Sequence, residues 1–253
     1  MTTDKKDKKQ TAIRILLYFG ISFILLFLLR GLFMMPEMIR RLPDGYMYSI
    51  MIPIARLLPA LTVLIVRLIS REGFSQHMLS IKIKGGKGKY YILAWFLPSV
   101  LALAGAGLYF AVFSDQFDWN ISYYMDNVSK TGNSFTLEAL RSSVISQTIT
   151  SVILGPAMKC ISGFGEEWGW RGYLLPKLLK VMPMFPAIIV NGLIWGLWYA
   201  PLVAAGLNYN TDYSGYPVTG ILLMTLFCVV LGIFLSFLTI RTVSCIPAII
   251  ACG

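Results

Sequence analysis

The chain has 253 residues, of which 57% are hydrophobic and only 13% charged. A soluble domain carries about 25% charged residues, so this composition excludes a soluble globule of that size and points to an integral membrane protein. The net charge of +10 does not signal a nucleic-acid partner, because the basic residues sit in short loops between apolar runs, which is the pattern of membrane topology.

The predicted elements follow in chain order. Residues 1–11, MTTDKKDKKQT, form a polar, Lys-rich tail, expected to be disordered and cytoplasmic. The apolar run after it is too long for a signal-peptide core and has no small-residue cleavage site, so it reads as a retained helix. A span needs about 20 apolar residues, and candidates run over 12–35, 46–70, 90–113, 144–164, 183–205 and 218–240. A seventh starts near 244. From 244 to 253 it would be about 15 Å long, against a hydrocarbon core of about 30 Å. That places its end in mid-membrane, and a shortened gene product is the reading favoured for it. The fold class is therefore all-α: a polytopic transmembrane helical bundle of six spans plus a truncated seventh, with the lipid bilayer as its first partner. The segment 71–90 is expected to hold a short surface strand or amphipathic piece.

Lys and Arg set the orientation. Lys5, Lys6, Lys8, Lys9 and Arg14 precede the first span, and Arg67, Arg71, Lys82, Lys84, Lys87 and Lys89 flank or fill the second loop. Arg171, Lys177 and Lys180 fill the fourth, and Arg241 follows the sixth span. The alternate loops are poorer in cations: Arg40 and Arg41, then Lys130 and Arg141 among Asp115, Asp118, Asp126 and Glu138. The positive-inside rule then gives a multi-pass protein of the cell membrane with a cytoplasmic N-terminus. The Asn-Ile-Ser and Asn-Val-Ser sequons in 114–143 carry meaning only for a loop in a secretory lumen. Cys160, Cys228, Cys245 and Cys252 lie in or beside apolar segments without a CxxC pair, and read as small buried residues. His77, the only histidine, sits in a basic loop and reads as solvated.

One stretch breaks the avoidance of charge: GEEWGWRGYLLPKL, residues 165–178. On a helix Glu167 and Arg171 are four apart and form an ion pair, while Glu166 points about 100° away. Ionisable groups at membrane depth cost roughly 2.5–3.5 kcal/mol each on insertion scales and mark functional sites by default. A carboxylate in a dry, apolar pocket can act as a general base toward water. By spacing alone, an interfacial ion pair that ends a helix is an equal reading. The stretch is expected at the cytoplasmic end of the fourth span. Two further segments accompany it. NGLIWGLWYAPLV, residues 191–203, sets Trp195, Trp198 and Tyr199 in the fifth span, as an aromatic belt or a substrate-binding surface, and SCIPAIIACG occupies 244–253.

Together these segments resemble the CPBP family, membrane proteins that include CAAX prenyl endopeptidases and bacteriocin-processing and lysostaphin-resistance-like proteins. Its pattern is Glu-Glu-x-x-x-Arg, then Phe or Trp-x-x-x-His, then a late His-x-x-x-Asn. EEWGWR supplies the first motif at Glu166, Glu167 and Arg171. WGLWY supplies the second at Trp195, with Tyr199 where the family has histidine, and Cys252 stands at the third-motif histidine. The resemblance covers 145–253, so the chain divides into the tail, N-terminal transmembrane helices at 12–143 and a CPBP-like domain at 144–253.

The resemblance implies an intramembrane endopeptidase that hydrolyses a peptide bond with a glutamate-activated water, acting on a peptide or membrane-protein substrate. The implied catalytic positions are Glu166, Glu167, Arg171, Tyr199 and Cys252, with Trp195 and Trp198 as substrate-binding candidates. Zinc occurs in accounts of the family, but without the motif histidines these residues do not support a metal, and no cofactor is assigned. Tyr199 can donate a hydrogen bond to an oxyanion, yet with a phenol's ordinary pKa of about 10 it is a poor base. Cys252 as a thiol nucleophile lacks a histidine to activate it. Impaired catalysis is expected, and a catalytically inactive relative that binds a peptide or partner protein is the alternative. A transporter has only Arg30 and Arg56 inside spans in its favour.

Overall fold

The structure is a computed structural model that describes residues 2–33, 50–74, 78–118, 120–122, 125–126, 136–158 and 160–252. Arg40, Arg41, His77, Lys130, the Asn-Val-Ser sequon and Gly253 lie outside the described residues.

All regular structure among the described residues is helical. The helices are α1 (Thr2–Phe33), α2 (Ile52–Ile69), α3 (Gly88–Val112), α4 (Leu137–Met158) and α5 (Cys160–Glu167), which passes through a π-helical stretch (Trp168–Leu174) into α6 (Leu175–Val181). Then come α7 (Met184–Trp198), the single turn α8 (Ala200–Val203), α9 (Val218–Thr242) and α10 (Ile246–Cys252). Among the described residues five helical segments are long and apolar enough to cross a membrane, and there are six if α4 and the run Cys160–Val181, bent by 52°, count as one broken span.

Three expectations change. The Lys-rich tail is not disordered, because α1 begins at Thr2. Once a long apolar helix is nucleated, extending it through helix-tolerant Lys residues costs little. No strand forms in the described part of 71–90; residues 78–83 belong to no helix or strand, and turns cover 84–87. Finally, the acid pair closes α5 but does not close the helical run. The helical run continues past it to Val181, because cations from two helices meet the acids and offset the cost that would otherwise stop a span there.

The interior is formed where α2, the α5–α6 run, α7, α9 and α10 meet. α1 packs on α2 and α6, α7 runs along α9, and α10 lies among α5, α9 and α3. α3 is peripheral: Ala94 is its one buried residue, and side chains such as Ile92, Leu101 and Leu108 are exposed, as lipid contact requires and water would penalise. Glycines let the inner backbones approach, as in membrane helix pairs generally. A Cβ on Gly165 would lie 2.7 Å from the Leu57 Cα and 2.9 Å from its Cδ2, whereas one on Gly105 would meet nothing within 4 Å. Gly165→Ala is thus expected to cost roughly 1–3 kcal/mol, read as a lower thermal midpoint in detergent, with Gly105→Ala near neutral. Equal midpoints for the two variants would contradict the α2–α5 contact.

Candidate active site

Local sequence rules place each side chain. Glu166 and Glu167 end α5, and Arg171 lies in the π-helical stretch, a form common at functional sites. Asn191 of α7 donates its amide Nδ2 to the Trp170 carbonyl at 2.9 Å, tying that stretch to α7. Pro201 lacks an N–H, and its ring would crowd the Leu197 carbonyl, so α7 stops at Trp198 and Tyr199 falls at the break.

Both acids are enclosed, Glu166 at 1% and Glu167 at 0% exposure, and so is Arg171 at 0%. Arg171 Nη1 donates to Glu167 Oε1 at 2.8 Å, and its guanidinium lies over the Trp195 ring, 4.0 Å from the centroid. Such a desolvated cation–π contact contributes about 2 kcal/mol. Glu166 is held from the other side. Arg56 Nη2 of α2 reaches its Oε2 at 3.2 Å, and the Tyr199 hydroxyl donates to its Oε1. Cys252 Sγ lies 3.3 Å from Glu167 Oε1. Glu167 Oε2 and the Arg171 Nε and Nη2 have no hydrogen-bond partner among the described residues. Two carboxylates thus face two guanidiniums, and the cluster is close to neutral.

A cleft of about 260 Å³ lies between α3, α4 and α10 and shares Cys252 with this cluster. Trp95, Pro98, Ser151, Pro156 and Cys252 are among its lining residues, so the cleft borders the residue whose thiol lies beside Glu167.

Residues 146–252 match the family described as Type II CAAX prenyl endopeptidase Rce1-like. A stretch of 76 residues, 30% of this chain, is 31% identical to CAAX prenyl protease 2 of Methanococcus maripaludis and covers 28% of that protein. Over 146–252 the chain is therefore similar to the CPBP family; the family match spans less than half of the chain, and the aligned stretch about a quarter of that relative. No solved structure matches.

Within the CPBP-like segment, the structure brings Glu166, Glu167, Arg171, Tyr199, Cys252 and Trp195 into one cluster. Trp198 points elsewhere: it is fully buried, donates its indole N–H to the Ser22 carbonyl of α1 at 3.1 Å, and packs edge-on against Trp170. Neither Trp195 nor Trp198 lines the cleft. The residue missed by sequence reasoning is Arg56, which lies outside the CPBP-like segment and was read only as a transporter hint. The available signal was charge complementarity, since a lone arginine inside an apolar span needs a buried acid.

Glu166, Glu167 and Cys252 each offer a ligand atom, all within 4.8 Å of one another. The donor set still fits a resident divalent cation poorly. Both carboxylates are already engaged by guanidiniums, and a metal would have to displace Arg56 or Arg171 or sit beside them as an uncompensated like charge.

Proposed function

We propose that this chain is a CAAX prenyl protease-like intramembrane endopeptidase with a glutamate-activated water, and that its catalysis is impaired. The observation that supports this reading is convergence. Tyr199 lies 33 residues and Cys252 85 residues from the acids they touch, yet the three family segments close on one buried carboxylate pair.

The chemistry follows from the hydrogen bonds. Hydrolysis needs a carboxylate oxygen that can hold a water and take its proton as the water oxygen bonds the peptide carbon; the proton then passes to the leaving amine. Glu167 Oε2 is free for this among the described residues, while Arg171 fixes the other oxygen. Glu166 accepts from both Arg56 and Tyr199, and still has lone pairs for a water shared with Glu167. Two features account for the impairment. The Tyr199 proton is committed to Glu166, so it does not point at a developing oxyanion. Cys252, whose thiol lies against the Glu167 oxygen that Arg171 holds, does not orient water as an imidazole would. The substrate suggested by the relative's name is a prenylated C-terminal peptide, and the apolar cleft at Cys252 suits entry from the bilayer. The basic loops support a cell-membrane location with the N-terminus in the cytoplasm.

A second reading, an inactive relative that retains peptide binding, is favoured by the same committed Tyr199 hydroxyl. The deciding experiment follows a quenched-fluorescent prenylated peptide with the purified full chain in proteoliposomes. Turnover near the detection floor is expected, and Glu166→Ala and Glu167→Ala should remove what there is. Robust turnover that survives both substitutions would put the chemistry elsewhere. Peptide binding with no turnover at all, in the chain and in every variant, would select the second reading.

A further inference from the structure

A second cleft, of about 370 Å³, lies away from the acid pair at the end of the bundle that carries the basic 82–89 loop. The C-terminal ends of α2, α6 and α9 meet there, and Arg67, Glu72, Lys82, Tyr173, Lys177 and Lys180 are among its lining residues. Four cations against one carboxylate leave three positive charges around one concavity.

The walls are built rather than incidental. Arg67 is buried, and its guanidinium lies 5.3 Å from the ring centroids of both Phe74 and Tyr173. Lys177 donates to Glu72 Oε1 at 2.6 Å, and the Tyr173 hydroxyl donates to Glu72 Oε2 at 3.0 Å. Arg14 of α1 approaches the same carboxylate at 3.7 Å. Burial alone would raise the Glu72 carboxyl, but the Lys177 hydrogen bond and charge, the Tyr173 hydroxyl and Arg14 outweigh it and hold the group below its ordinary range. Glu72 therefore acts as a fixed strut that engages one donor of Lys177, whose ammonium also lies 4.2 Å from the Tyr173 ring centroid. The far wall is pinned by Met78, whose carbonyl accepts the Cys245 N–H at 2.8 Å. Lys82 and Lys180, by contrast, are exposed on the rim.

Cations at helix C-termini are favourable in themselves, but that does not call for a cavity between them. A rigid, cationic concavity between helix ends, at the edge of the apolar bundle, has the charge and size for a phosphate group. We propose that this cleft binds a phosphate-bearing ligand at the membrane–water boundary, with Lys82, Lys177 and Lys180 as its donors. The chemistry is shared by the headgroup of an anionic phospholipid and by free phosphate.

The test titrates the full chain in neutral detergent with phosphatidylglycerol, phosphatidylcholine or inorganic phosphate, and reads bound adducts by native mass spectrometry and the thermal midpoint. A Lys82→Ala/Lys180→Ala variant is compared with Lys84→Ala/Arg241→Ala, which removes the same charge from the same end of the bundle without touching the cleft lining. Expected is a preference for phosphatidylglycerol over phosphatidylcholine that the first variant weakens about tenfold or more and the second leaves unchanged. A midpoint rise with inorganic phosphate alone, lost in the first variant, assigns the site to soluble phosphate; a response to phosphatidylglycerol alone assigns it to the lipid. Equal effects of the two variants, or no discrimination between the lipids together with no response to phosphate, overturns the proposal.

Discussion

Tyr199→His combined with Cys252→His is expected to raise peptide hydrolysis at least about 100-fold over the unmodified chain, the contribution commonly made by a positioned acid–base group. Tyr199 touches Glu166 and Cys252 touches Glu167, so both new imidazoles would stand against the carboxylates that hold the water. An imidazole at 199 can exchange a proton near neutral pH, which a phenol cannot. Adding Glu167→Gln or Glu166→Gln to the rescued chain should return turnover to the floor. The measurement is the initial rate on the same prenylated peptide, with the thermal midpoint as a check on folding. A double variant that folds with an unchanged midpoint, binds the peptide and gains no turnover would sink the claim that these two positions are what impairs the site.

Arg171→Met is expected to destabilise the protein by about 3–5 kcal/mol, the usual consequence of leaving one partner of a buried ion pair uncompensated. Both groups are fully enclosed, and the substitution also removes the cation lying over Trp195. The companion variant, Arg171→Met with Glu167→Gln, removes both charges and should recover most of the loss, because neutral groups of similar volume replace the pair. Arg56→Met should cost less, since Arg56 is partly exposed and Glu166 keeps the Tyr199 hydroxyl. Denaturant titration of the detergent-solubilised chain followed by tryptophan fluorescence reads all of these. If the single and double Arg171 variants are equally destabilised, the pair's electrostatics is not what holds this region, and shape alone would have to explain it.

The bundle itself was legible in the sequence. Apolar run length and the scarcity of charge fix where helices can cross a bilayer, because an unsatisfied backbone group in hydrocarbon is too costly for other structures. The third and sixth expected spans fall within two residues of α3 and α9. The i, i+4 relation between Glu167 and Arg171 was equally local, since one helical turn brings the two together. The helical run of the fourth span continues to Val181, past its expected end at 164, for a physical reason. A sequence shows the cost of placing two acids in a membrane and, through Arg171, part of what offsets it; it does not show Arg56 from α2 or Tyr199 from the break after α7.

What the sequence determined by itself is the all-helical membrane architecture, the run of family segments and the identity of the acid pair, because each depends on composition or on spacing within one or two turns. Only the tertiary structure decided that Arg56, 110 residues away, clasps Glu166, that Tyr199 gives its proton to the same carboxylate, and that Trp198 belongs to the packing of α1. Those contacts depend on how far helices can approach one another. That distance is set by glycines such as Gly165, which make room for a neighbouring backbone that no single helix's periodicity reveals.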